Sequence, residues 1–366
     1  MNKSLRLTGI DLCRGFALYG VILLHSDEGL SETPTGWNDI IHVVEFAVPF
    51  FLATSFYLSV NKLWSGGSYK LSSRLNRLVI PYVAWTLIYV TYKFLKFIID
   101  RDPNHIEEVL KDPTGTIFLG TAGFHLYFLP LVVVGSILIK LLDDRIKSHF
   151  FNLKKASFLF LISIALYQLT IASGNAYSLE SQAAFQSLLN YQNFGILAQP
   201  IRVLFVFLFW SLRCLVYITI ALVVSQLNPH LAPYFRNREN WWAIAFIGAF
   251  FILGLSGESV PESIREVFLG YSALGTGICL SPFLKDDRHI LKHLGICSFG
   301  IYLIHLLILD VFQITIYRLP GLNLASLQQS IIYFLLLSLS VLLLGWAIAD
   351  RLMQNRWVSK ILFGTR

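Results

Sequence analysis

The first apolar stretch of the chain, RLTGIDLCRGFALYGVILLH over residues 6–25, carries an aspartate, an arginine and a histidine. Read as a helix at about 100° per residue, Arg14 and His25 fall within about 20° of one another, and Asp11 lies one turn before Arg14. A charged side chain at the middle of a bilayer costs about 2.5–3.5 kcal/mol on insertion scales, so such residues face a bundle interior or an aqueous cavity. Two readings of Asp11 and Arg14 stand at this point: a structural ion pair near the inner interface, or part of a functional stripe that continues to His25. At 1.5 Å per residue, His25 is about 25 Å along the helix from residue 8, toward the far side.

The next apolar stretch opens with His42 and Glu45, three residues apart, ahead of VPFFLATSF. Their expected depth matches that of His25. A carboxylate beside a histidine fixes its tautomer and raises its basicity, as a general base requires. This depth argument predicts that Glu45 orients His25; His42 reads equally as an interfacial histidine. A third element begins with Arg74-Leu-Asn-Arg77 and continues Leu-Val-Ile-Pro81-Tyr82. Two guanidiniums three residues apart project together, and at a helix start they reinforce a dipole that already favours anions. Arginine grips phosphate bidentately, so the pair suits a phosphorylated ligand. Ordinary positive-inside flanking is the other reading, and spacing does not separate the two.

Further polar residues lie in apolar surroundings: His125 in FHLYFLP, Arg202, Arg213, and His305 in SFGIYLIH. Arg213 has no acid within a turn and needs a partner from another helix, a cavity or a ligand. A lone membrane histidine is ordinarily a packed, hydrogen-bonded residue, and His125 and His305 are assigned supporting roles. No Gly-x-Ser-x-Gly elbow is present to supply a serine nucleophile.

These residues must be positioned by membrane-spanning helices. Of 366 residues, 55% are hydrophobic and only 14% charged, with a mean hydropathy of +0.62; soluble domains carry about 25% charged residues. Apolar runs long enough to cross about 30 Å of hydrocarbon recur throughout, and they are too continuous for barrel strands. The fold class expected is all-α, a polytopic bundle forming one integral domain over residues 1–366. Spans are placed at about 8–28, 38–60, 75–98, 122–142, 156–173, 201–226, 241–256, 266–284, 294–316 and 328–350.

Orientation follows from loop charge. With the N-terminus inside, Lys3, Arg6, Lys62, Lys70, Arg74, Arg77, Lys140, Arg145, Lys147, Lys154, Lys155, Arg236, Arg238, Lys285, Arg288 and Lys292 all fall on the inner side, as do Arg351, Arg356, Lys360 and Arg366 of the tail. The other loops are sparse or acidic, so ten spans let every loop obey the positive-inside rule, with both termini cytoplasmic. The net charge of +7 therefore reflects topology rather than nucleic-acid binding. Arg14 interrupts the first apolar stretch and no small-residue cleavage pattern follows, so this stretch reads as a retained span rather than a leader. The loop over 174–199 is polar and long, either a cover for the outer face or an ordinary connection. Cys13, Cys214, Cys279 and Cys297 are spaced for neither zinc nor a disulfide framework.

Arg6…Asp11-Leu-Cys-Arg14-Gly15 with His25 resembles the opening signature of the membrane acyltransferase-3 family. Pro49-Phe-Phe-Leu…Phe56 and Arg74-x-x-Arg77…Ile80-Pro81-Tyr82…Trp85 resemble its next two blocks. His125-Leu-Tyr-Phe-Leu129 and Ser298-Phe-Gly-Ile-Tyr-Leu-Ile-His305 are similar to later landmarks, so the resemblance spans most of the chain in order. One departure is Thr54-Ser55-Phe56, where the family usually has Ser-Gly-Phe. The resemblance implies a stand-alone O-acyltransferase of the cell membrane, here a bacterial inner membrane. Such an enzyme moves an acyl group, commonly acetyl, from cytosolic acyl-CoA to a hydroxyl of a surface or exported glycan, or of a lipid-linked sugar. Carried over by motif, His25 is the family's helix-1 histidine, Arg14 the arginine before glycine, and Arg74 with Arg77 the pair associated with the donor.

The combined expectation is His25 as general base, oriented by Glu45, with Arg14, Arg74 and Arg77 binding the donor and Asp11, His125, Arg213 and His305 in support. Arg14, Arg213 or a tyrosine is a candidate to stabilise the oxyanion. Acyl-CoA (acetyl-CoA) serves as co-substrate, with membrane lipids around the chain and neither a bound cofactor nor a metal expected. The rival reading is a transporter or flippase for a glycan or lipid-linked precursor, whose ionisable residues would line a substrate path. No repeat between the two halves supports it.

Overall fold

The computed structural model describes residues 7–28, 33–101, 110, 112–173, 195–235, 238–284, 289–318 and 327–365. Lys3, Arg6, Arg236, Lys285, Arg288, Arg366 and positions 174–194 of the proposed outer cover lie outside the described residues. Among the described residues the regular structure is helical throughout: α1 (Thr8–Leu24), α2 (Trp37–Val44), α3 (Ala47–Trp64), α4 (Leu71–Asp100), α5 (Pro113–Phe118), α6 (Phe128–Lys147), α7 (Leu153–Ala172), α8 (Ala198–Phe235), α9 (Glu239–Leu255), α10 (Glu262–Leu280), α11 (His289–Arg318), α12 (Ile331–Met353) and α13 (Arg356–Phe363). A 3-10 turn, Phe124–Tyr127, leads into α6.

Each of the ten apolar segments read from the sequence overlaps a helix, the second overlapping two. Seven helical stretches among the described residues are long and apolar enough to cross a membrane, namely Trp37–Trp64, Leu71–Ile99, Phe124–Lys147, Leu153–Ala172, Ala198–His230, Ile290–Arg318 and Ile331–Met353. The second segment is broken into α2 and α3 at Glu45 and Phe46. Pro49 supplies the cause, because it has no N–H to give the carbonyl four residues back. Local signals set other boundaries. The Asp112 side chain accepts from Gly115 N, with Pro113 in the first turn of α5, and Asn152 accepts from Lys155 N to start α7.

Packing divides the chain into two compact units, one formed by residues 1–55 and 229–355, the other by 56–228 and 356–366. In the first, α1 is the central helix and packs on α2, α10, α11 and α12. Small residues permit this. A Cβ added to Gly9 would lie 2.1 Å from the Gly277 carbonyl oxygen of α10, and one added to Gly295 of α11 would lie 2.5 Å from Asp11 Oδ1. In the second unit α4 packs against α6 and α13. A buried ion pair there joins Arg202 of α8 to Asp112, with side chains 0% and 1% exposed. Arg202 Nε also donates to Gln199 Oε1 at 2.8 Å, so both charges are held by hydrogen bonds as burial requires.

Candidate active site

His25 stands where α1 ends. Its backbone N–H turns back to the Ile22 carbonyl and that of Ser26 to the Leu23 carbonyl, closing the helix here. The turn that follows is tied down on several sides. Ser26 Oγ donates to the Leu23 carbonyl at 2.8 Å, and Gln313 Nε2 of α11 donates to the Ser26 carbonyl at 3.1 Å. Trp37 Nε1 donates to Asp27 Oδ2 at 2.8 Å, and the Trp37 indole is itself buried against Leu23 and Phe334. A histidine on such a turn has little freedom to drift.

The acid beside His25 is Glu28: Nδ1 and Oε1 are 2.7 Å apart. With Glu28 ionised the carboxylate accepts, so that Nδ1 carries the proton and Nε2 is the basic nitrogen. The expected orientation of His25 by Glu45 is therefore corrected. Glu45 instead meets Arg265 of α10, with Oε2 at 2.8 Å from Nη1, and His42 at 3.6 Å. Proline explains the difference. The break before Pro49 places Glu45 at the α2–α3 junction, where Arg265 is its ion-pair partner.

His305 of α11 stacks on His25, ring centroids 5.6 Å apart at 28°. Its Nδ1 lies 2.5 Å from the Tyr302 carbonyl oxygen, which fixes the proton on that nitrogen. Both histidines thus present Nε2 as an acceptor. His305 is fully buried, and side-chain depth on a separate helix is what hid this partnership from sequence reasoning.

Asp11 and Arg14 do pair, Oδ1 to Nη1 at 3.0 Å, with Asp11 buried against Gly295 and the Arg14 side chain 30% exposed. Asp11 faces α11 at Gly295 and His25 faces it at His305, so the single stripe expected on α1 is the stripe that meets α11. Close by in sequence, His293 of α11 bridges two residues of α12. Its Nε2 is 2.9 Å from Asp350 Oδ1, and Trp346 Nε1 donates to its Nδ1 at 2.9 Å. Cys297 Sγ is 4.0 Å from both ring nitrogens. The indole donor requires a bare Nδ1, so the proton sits on Nε2 facing Asp350, the tautomer opposite to the one a metal on Nε2 would need.

In the other unit, Arg74 is held inside the helix packing. Its Nε donates to Ser136 Oγ of α6 at 2.8 Å, its Nη1 to Ser59 Oγ of α3 at 3.3 Å, and its guanidinium lies 6.0 Å from the Tyr69 ring centre. Arg77, one turn on, is exposed. One arginine is thus prepositioned and the other reaches outward. His125 is 2% exposed, with the Tyr89 ring edge-on at 5.1 Å. Arg213 sits partly buried along α8. The residues missed by sequence reasoning are Glu28, Arg265, and the two serines around Arg74. Glu28 alone had a signal, its i,i+3 spacing from His25.

The model of the acyltransferase domain that defines the acyltransferase-3 family matches residues 7–350, nearly the whole chain. The chain belongs to that family. No curated protein and no solved structure gives a significant match. Membership makes the protein a membrane acyltransferase, and the multi-pass helical architecture agrees with it.

Proposed function

We propose that this acyltransferase moves an acetyl group from cytosolic acetyl-CoA to a hydroxyl of a cell-surface or exported glycan, with His25 as general base. The observation that carries the reading is the His25–Glu28 pair, 2.7 Å apart on a tied-down turn with Nε2 as the basic nitrogen. The acceptor O–H attacks the thioester carbonyl while His25 Nε2 takes its proton. Collapse of the tetrahedral intermediate breaks the C–S bond, and the proton leaves with CoA as its thiol. General-base assistance of this kind supplies about 10²–10⁴-fold. Arg74 and Arg77 hold the phosphates of the donor, a role suited to one guanidinium braced by hydroxyls and a second that is exposed. Arg14, paired with Asp11 about 16 Å back along α1 from His25, is assigned to binding the donor instead of the reacting carbonyl.

The test is acyl transfer in membranes from cells that make the native envelope glycans, followed as free CoA thiol and as acetyl mass on the glycan. His25→Ala should abolish both while the protein inserts at normal levels. Transfer that persists in this variant removes His25 from the chemistry. Thiol release that is absent from the wild type, with glycan export intact, would return the transporter reading.

A further inference from the structure

The family match ends at residue 350, yet the chain continues into α13, which packs on α4 within its own unit. Ser359 and Phe363, four residues apart, form the buried face of this short helix, and Trp357 and Lys360 are exposed. Trp85 of α4, itself 2% exposed, donates from Nε1 to the Leu362 carbonyl at 2.9 Å. Beyond the helix, Gly364 takes φ +61° and presses on the backbone of Arg77: a Cβ there would lie 2.3 Å from the Arg77 carbonyl oxygen and 2.9 Å from its Cα. No side chain fits at that distance, and a positive φ already disfavours one.

The place of contact has a cause in α4. Pro81 lies inside the helix, four residues after Arg77. It has no N–H, so the Arg77 carbonyl loses its ordinary helical donor, and the proline ring pushes that carbonyl outward. The Gly364 backbone lies against this oxygen, too close for any side chain to intervene.

We propose that the C-terminal segment 356–365 is a positioning element for the donor-binding arginine pair, with Gly364 setting where the Arg77 backbone stands. This rests on the reading that Arg74 and Arg77 hold the donor. A Cβ at 364 forces the Arg77 carbonyl and Cα to retreat, and displacements of that order are enough to spoil the grip of a phosphate fork. Gly364 is a positioning residue and touches no substrate.

The experiment measures equilibrium binding of coenzyme A to the purified full chain in detergent, at several salt concentrations. Gly364→Ala and Gly364→Asn should each raise Kd about three- to tenfold, roughly the span of a tenfold change per 1.4 kcal/mol. They should also flatten the salt dependence as Arg77→Ala does, because the lost interaction is between charges. Trp85→Phe, which removes the Leu362 hydrogen bond and leaves part of the buried indole's space empty, should shift Kd in the same direction by less, with a lowered melting temperature. Asparagine tolerates positive φ but still carries a Cβ, so binding restored by Gly364→Asn but not by Gly364→Ala would make the effect conformational and overturn the proposal. Wild-type binding and salt dependence in both Gly364 variants would overturn it too. If Arg74→Ala with Arg77→Ala leaves coenzyme A binding intact, the donor reading itself fails and the positioning role falls with it. If that double variant loses binding while the Gly364 variants keep it, only the positioning role fails.

Discussion

Glu28 lies three residues after His25 and accepts from its Nδ1, which leaves the far nitrogen as the base. Replacing the acid by its amide keeps an acceptor oxygen but removes the charge that stabilises the imidazolium formed during proton transfer. Glu28→Gln should therefore slow acyl transfer about ten- to a hundredfold, a part of the 10²–10⁴ that a general base supplies. Coenzyme A binding should stay unchanged, and thiol release in glycan-bearing membranes measures the loss. Glu45 belongs to a different argument. It neutralises Arg265, whose side chain is only 11% exposed, so Glu45→Gln should lower the melting temperature before it touches turnover. Both carboxylates were visible in the sequence as histidine neighbours at i,i+3. Depth along the helices favoured Glu45 for His25, whereas local spacing favours Glu28, and the proline break is what made depth misleading. The His25–His305 stack joins helices far apart in the chain, and no local pattern announces it.

Helices were the most legible level, because length and apolarity are local properties and only a helix satisfies the backbone in lipid within a single segment. Which helices touch was much less so. The contact of α1 with α10 depends on Gly9 and Gly277 meeting backbone to backbone, and a glycine in an apolar run gives no sign of what lies opposite. Gly9→Val would place side-chain atoms where the Gly277 carbonyl stands. The two helices must part, at a cost of at least the usual 1–3 kcal/mol of overpacking (about the scale of a large core mutation). The expected result is a lower melting temperature and reduced yield of inserted protein. The Arg202–Asp112 pair was equally hidden, its members being ninety residues apart. Arg202→Ala leaves the Asp112 carboxylate buried without its cation, a loss of about 3–5 kcal/mol. Removing both charges with Asp112→Asn and Arg202→Leu should recover part of it, read by the same thermal measurement.

At the scale of the whole molecule, the number of crossings decides on which side the C-terminal arginines lie. Among the described residues seven helical stretches are long and apolar enough to cross, and an odd count would put the tail opposite the N-terminus. Of the helices in the ten apolar segments, those that fall short are α1, α9 and α10, and each does so for a reason compatible with spanning. α1 has 17 residues, about 26 Å at 1.5 Å each, and carries Asp11 and Arg14. It packs on α2, α10, α11 and α12, with Asp11 buried and Arg14, 30% exposed, paired to it. α9 is likewise 17 residues but strongly apolar, and α10 is longer yet has Glu262, Arg265 and Glu266 in its opening turns, next to Glu45. If all three cross, the chain makes ten crossings and Arg351, Arg356 and Lys360 lie on the same side as the N-terminus, as the positive-inside rule demands. A reporter active only in the cytosol, fused after residue 366, should then be active, and one active only outside should be silent. The reverse pattern would mean an odd number of crossings, and would put the Arg77 end of α4, to which α13 is bound, on the side opposite cytosolic acyl-CoA.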